Sequence, residues 1–166
     1  MPQDTTCSGS LRQMDTPFTV FSEADFEAIY TSFDVPAGEL AYVYEIGNTG
    51  SDTVSSAAIS PLDASFSSIG NDATLGGVAP VSEFLFPAIS ALWDYSGANI
   101  LQGSSSTALV LTSPLQPGGL TNFTIVNGGG SAVVQVVATI PEPFSFVVWA
   151  GVSASVLVMT RRRRPN

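Results

Sequence analysis

The stretch "ELAYVYEIGNTGSD", residues 39–52, decides how the rest of the chain is read. Leu40, Tyr42, Tyr44 and Ile46 recur at every second position, with Ala41, Val43 and Glu45 between them. Alternation with period two puts the first set on one face of a strand and the second on the other. Gly47-Asn48-Thr49-Gly50 follows, and residues of these types tolerate positive φ, so the chain can turn back on itself.

The same pattern continues from Asp15 to Ile140. Further strands are predicted at residues 18–21, 56–60, 83–86, 107–112, 122–126 and 132–140. Between them lie Gly70-Asn71-Asp72, Gly76-Gly77, Gly97-Ala98-Asn99, Pro117-Gly118-Gly119 and Gly128-Gly129-Gly130, all read as turns. Regular turn punctuation between short β-branched and aromatic runs predicts an all-β fold, an antiparallel β-sandwich. One segment fits two patterns. In "SEADFEAIYTSF", residues 22–33, Ser22 and Asp25 resemble a capping box, and apolar residues at 26, 29, 30 and 33 suit a helix. Phe26, Ala28 and Tyr30 also alternate, and the β-rich surroundings favour a strand.

Composition narrows the function. At 166 residues the chain has room for one ordinary domain and a tail. Thirteen of its fourteen acidic residues lie within residues 1–140, where Arg12 is the only base, so that part carries −12. Residues 141–166 carry +3, which brings the chain to −9. So acidic a body repels phosphate backbones, and no nucleic-acid partner is expected. The chain has no histidine, which removes the usual general base near neutral pH and the commonest metal ligand. Its one cysteine, Cys7, cannot form an intramolecular disulfide and reads as an unpaired thiol in a polar segment.

The tail, "PEPFSFVVWAGVSASVLVMTRRRRPN", has the opposite character. Residues 144–160 carry no charge, and as a helix they would span about 26 Å, close to the ~30 Å of a hydrocarbon core. Phe144, Phe146, Val147, Val148, Trp149, Val152, Val156, Leu157, Val158 and Met159 supply the apolar surface. Pro141 and Pro143 suit a first helical turn, where a missing N–H costs nothing. Arg161, Arg162, Arg163 and Arg164 follow at once, and an arginine at the bilayer centre costs roughly 2.5–3.5 kcal/mol. They therefore stop transfer, and the positive-inside rule places them in the cytoplasm with residues 1–140 on the far side. A single strand of 17 apolar residues would be several times the usual length of about 5–6.

Pro141-Glu142-Pro143, one transmembrane stretch and a terminal arginine cluster, in that order, resemble the PEP-CTERM sorting signal. The resemblance covers 26 of the 166 residues. It implies export from a Gram-negative bacterium that makes exopolysaccharide. It also implies recognition by exosortase, a membrane transpeptidase-like protein with its own catalytic cysteine. Pro141, Glu142 and Pro143 are then the recognition motif, and the chain passes from the inner membrane to the periplasm or cell surface. The family also implies an N-terminal signal peptide. The opening "MPQDTTCSGSLRQMDTPF" has no basic n-region and no apolar h-region, so the reading frame is expected to begin further upstream. The body is similar to domains found in front of such tails, through "YVYEIGNTGSD", "LWDYSGANI" and "LTSPLQPGGLTNFTIVNGGG". There a Tyr-x-Tyr strand leads into an Asn-rich turn, and a Trp-containing strand precedes a Ser-Pro…Pro-Gly connection. No activity comes with this likeness. The expected organisation is a disordered segment over 1–14, a β-sandwich over 15–140 and the sorting signal over 141–166.

The search for chemistry in the body returns bland readings. Glu23, Asp25 and Glu27 would share one face of a strand, which reads as a solvated edge before it reads as a glycosidase pair. Asn48, Asp52, Asn71 and Asp72 are calcium-type ligands, but turn chemistry explains them equally well. No Gly-x-Ser-x-Gly elbow and no phosphate loop is present, and the chain has no lysine. Asn122-Phe123-Thr124 matches a glycosylation acceptor by chance. Trp93 and Tyr95 read first as core aromatics and second as a platform for a sugar ring. The expectation is a non-enzymatic matrix or surface protein without cofactor or metal. Its expected partners are exosortase and the membrane. Exopolysaccharide is a further partner if the body is a carbohydrate-binding module, and a secreted hydrolase is the remaining alternative.

Overall fold

The computed structural model describes residues 14–15, 18–127 and 130–138. They form an all-β body of antiparallel sheets with one short helix. In chain order the elements are β1 (Met14–Asp15), β2 (Phe18–Ser22), α1 (Glu23–Glu27), β3 (Leu40–Tyr44), β4 (Gly47–Asn48) and β5 (Val54–Ser60). There follow β6 (Ser68–Asp72), β7 (Ser82–Phe86), β8 (Ser90–Asp94), β9 (Ser104–Ser105), β10 (Ala108–Ser113), β11 (Gly119–Asn127) and β12 (Gly130–Ala138). One sheet has the order β2-β3-β10-β6, the second β12-β11-β5-β8-β7, and a small third sheet β1-β4-β9.

The period-two reading of residues 40–46 holds. Tyr42, Tyr44 and Ile46 enter the main core, which also takes Leu109 and Leu111 from β10. From the five-stranded sheet it takes Ala57, Ile59, Ala91, Trp93, Phe123 and Ile125. The four- and five-stranded sheets thus bury their inner faces in one core. Ala41, Val43 and Val110, on the opposite face of β3 and β10, meet Phe26, Tyr30 and Val35 in a second, smaller core. A strand covered on both faces has no solvent side to mark with polar residues. This is why "ALVL" in β10 reads as an unbroken apolar run.

Three expectations are corrected. Residues 23–27 are helical, not a strand. Ser22 caps the helix, its Oγ accepting from the Asp25 N–H and donating to the Asp25 carboxylate at 2.6 Å. Phe26 and Tyr30, four apart, stack at 4.6 Å on the buried side while Ala28 faces out. The cap and the i, i+4 aromatic pair override the weaker alternation. Gly70-Asn71-Asp72 is not a turn but the end of β6, paired with β10 from Asp72–Ala108 to Ser68–Thr112. A Cβ at Gly70 would overlap the Phe33 ring, so glycine here admits a covering aromatic rather than a bend. Gly47 and Asn48 form a short strand between β1 and β9 before the chain turns. Met14 pairs with Asn48 in this small sheet.

Candidate functional site

The aromatic candidates lie inside. Trp93 and Tyr95 are fully buried, so neither ring offers a platform to a sugar. Trp93 packs near Tyr44 and Phe123, with centroid distances of 6.5 and 6.3 Å, and its indole N–H donates to the Gly70 carbonyl at 3.0 Å. That bond crosses from one large sheet to the other. The Tyr42 and Tyr44 hydroxyls likewise donate to the carbonyls of Leu115 (2.7 Å) and Val137 (3.0 Å). Burial pushes the Tyr42 phenol up to about 12 and raises Tyr44 and Tyr95 further. All three are neutral core groups at physiological pH.

The former calcium candidates separate into two structural uses. Asn48 is buried at the start of its turn. Its amide donates to the carbonyls of Asp52 and Ile100, at 2.8 and 2.9 Å, and its Oδ1 accepts from the Gly50 N–H. Asn71 donates to Glu83 and accepts from the Thr107 hydroxyl, which latches β6 to β7 at the side of the body where the two large sheets meet. Asp72 is 0 % exposed. Its Oδ2 accepts from the N–H groups of Ser32 (2.6 Å) and Phe33 (2.9 Å), and Oδ1 from that of Thr74 (2.8 Å). Burial pushes this carboxyl up, but the bonds from Thr74, Ser32 and Phe33 pull harder and leave it below the usual aspartate value. Asn48 and Asp72 bind backbone groups and Asn71 binds two side chains, and several of these partners lie tens of residues away in the chain.

The acid cluster is also divided. Glu23 accepts from the Gly38 N–H at 2.9 Å, and Asp25 belongs to the helix cap. Elsewhere Glu39 accepts from the Ser67 hydroxyl, Asp63 from the Ser65 N–H, and Asp94 from Ser96. Asp25, Asp63 and Asp94 hold their own turns, while Glu23 and Glu39 tie α1 and the approach to β3 to more distant segments. Among the described residues no group of three or more His, Cys, Asp or Glu is placed to hold a metal ion. Asn122 lies exposed on β11, its Oδ1 accepting from the Gln135 amide at 2.9 Å.

The predicted sorting residues, from Pro141 through the apolar run to Arg164, lie outside the described residues, as do Cys7 and Arg12. Among the described residues no helix is long and apolar enough to cross a membrane. The body does define where the chain leaves it. β12 is an edge strand, zipped to β11 over its whole length and ending at Ala138 opposite Gly119, three positions before Pro141. A feature that the motif search missed is the set of exposed apolar side chains at the end of the body where β12 stops. The chain matches no known family and no curated protein.

Proposed function

We propose that this chain is an exported β-sandwich protein that a C-terminal sorting signal carries to the inner membrane. There it is held by a single helix over residues 144–160, with Arg161, Arg162, Arg163 and Arg164 in the cytoplasm. Exosortase recognises Pro141-Glu142-Pro143, cuts nearby, and the body passes to the periplasm or cell surface as a component of the envelope or biofilm matrix. The observation that carries this reading is the fixed order of motif, charge-free run and arginine block within 26 residues. A chance tripeptide would not be followed by both a span of bilayer length and a stop-transfer signal.

Two features of the body support it. Its carboxylates and buried amides are largely engaged in holding its own loops, as a passive structural domain requires. Its last described strand ends three positions before the motif. A cut after Pro143 would leave every described strand in place.

The test is expression of the full reading frame, with any upstream extension, in a host that contains exosortase. Fractionation and intact mass should show loss of the residues after Pro141-Glu142-Pro143, and Glu142→Ala should block that loss. A mutant tail removed at the normal rate overturns the assignment of the motif. An uncut cytoplasmic product overturns the localisation.

A further inference from the structure

Five residues, 139–143, separate Ala138 from Phe144, where the charge-free run begins. Fully extended, that segment reaches about 20 Å. A body tethered so closely keeps one particular end towards the bilayer. Pairing identifies that end of the five-stranded sheet: Gly119 lies opposite Ala138, Asn122 opposite Ser60, and Phe86 opposite Ser90.

Four large apolar side chains stand exposed there: Phe86 (46 %), Ile89 (63 %), Leu115 (48 %) and Leu120 (56 %). A single exposed leucine means nothing, but several apolar residues turned to the same end of a body can meet one flat apolar surface together. The turns that carry them are pinned. The Ile89 carbonyl accepts from the Leu62 N–H and the Ser60 hydroxyl, and the Ile89 N–H donates to the Phe86 carbonyl. The Leu115 carbonyl accepts from Tyr42, its N–H donates to Ser113 Oγ, and the Gly118 N–H donates to the Ala138 carbonyl. These tips are presented by the fold and cannot readily fold back to hide.

Charge is segregated in the same sense. Residues 84–93 and 95–141 contain no Asp, Glu, Lys or Arg, so β10, β11, β12 and both apolar turns are uncharged. The acids at this end are Glu23, Asp25, Glu27, Glu39 and Asp63, which belong to α1, the approach to β3 and the β5–β6 connection. The side next to the chain exit is therefore the part of an acidic body that a lipid surface repels least.

We propose that this end of the five-stranded sheet is a membrane seat. Phe86, Ile89, Leu115 and Leu120 rest in the interface of the same bilayer that the tail crosses. The seat fixes the height and tilt of the body before cleavage, and it rests on the reading of the tail given above. Its energy comes from apolar area withdrawn from water, not from attraction between charges.

The test uses the full chain in phosphatidylcholine bilayers, with Cys7→Ser and single cysteines at Ile89, Leu115 or Leu75 carrying an environment-sensitive fluorophore. Leu75 is equally exposed but lies at the opposite end, beyond the last residue of β6. Acyl-brominated phosphatidylcholine should quench the labels at 89 and 115 and leave that at 75 unchanged. On the unlabelled chain, amide exchange over 86–90 and 114–118 should be slower in the bilayer than for the Ile89→Ser, Leu115→Ser chain. That variant should lose about tenfold in the ratio of seated to free body. Retention in the bilayer through an alkaline carbonate wash reads tail insertion separately. An inserted tail with all three labels quenched alike or not at all overturns the seat and leaves the tail reading intact. A tail that washes out overturns both. Shielding of 89 and 115 that rises with protein concentration and ignores the brominated lipid overturns the seat in favour of a second copy of the chain.

Discussion

Asp72 is the residue whose replacement tests the architecture most directly. Its carboxylate accepts three backbone N–H groups, two of them from the segment after α1 that lays Phe33 over Gly70. Asp72→Ala removes both acceptor oxygens and with them all three bonds. Water reaches the freed donors only in part, so each lost bond costs about 1 kcal/mol and the sum is about 3 kcal/mol. Against a total stability of about 5–15 kcal/mol that is a large fraction, equivalent to about 12 °C in Tm for a body of this size. Thermal unfolding of the full chain, followed by the fluorescence of the buried Trp93, measures it. The pH dependence gives a second reading. The folded carboxyl lies below its ordinary value, so its ionisation stabilises the fold fully above the unfolded pKa. That contribution is lost as pH falls through the folded value. The stability gap between the native chain and Asp72→Asn should be widest near pH 6 and narrow below about pH 4. A cost under about 1 kcal/mol for Asp72→Ala, or a gap to Asp72→Asn constant from pH 6 to 3, would refute the clamp.

Other substitutions address single contacts. Gly77 has φ +104°, and a Cβ there would overlap the Ser106 carbonyl, where the Val78 N–H donates to Ser105 at 2.9 Å. Gly77→Ala should cost about 2 kcal/mol or more, read as a fall in the thermal midpoint. Ala88 occupies φ +61° after Pro87, in a turn closed by the bond from the Ile89 N–H to the Phe86 carbonyl. Ala88→Gly should therefore stabilise by about 0.5 kcal/mol, and a loss of stability would show that the strain is absent. Tyr44→Phe strips the Val137 carbonyl of its buried donor and should cost about 1 kcal/mol, checked by the same unfolding scan.

Much of the strand framework was legible because its signal is local. Leu40, Tyr42, Tyr44 and Ile46 alternate within one strand, and the predicted runs at 18–21, 83–86 and 122–126 lie within β2, β7 and β11. The Ser22 cap was also written in the chain, but a two-residue periodicity nearby outvoted it. The proposed sorting signal rests on the same kind of local pattern, a run of 17 uncharged residues and a block of arginines, and lies outside the described residues. The two alternate faces of β3 could be read as well, but not that both would be buried.

Tertiary structure decided whatever depended on a distant partner. Gly70 joins a strand instead of a turn because Phe33, 37 positions earlier, covers it, and Asp72 is a clamp because the Ser32 and Phe33 amides arrive beside it. Trp93 is sealed between Tyr44 and Phe123, from other strands, so its type pointed to the core but could not name what encloses it. The apolar turns at 86–90 and 114–118 come to the same end of the body as Ala138, the first of them at the opposite edge of the sheet, only through the β12-β11-β5-β8-β7 order. Periodicity records which side of its own strand a residue faces. What lies across from that side is set by pairings tens of residues apart, and no local pattern encodes them.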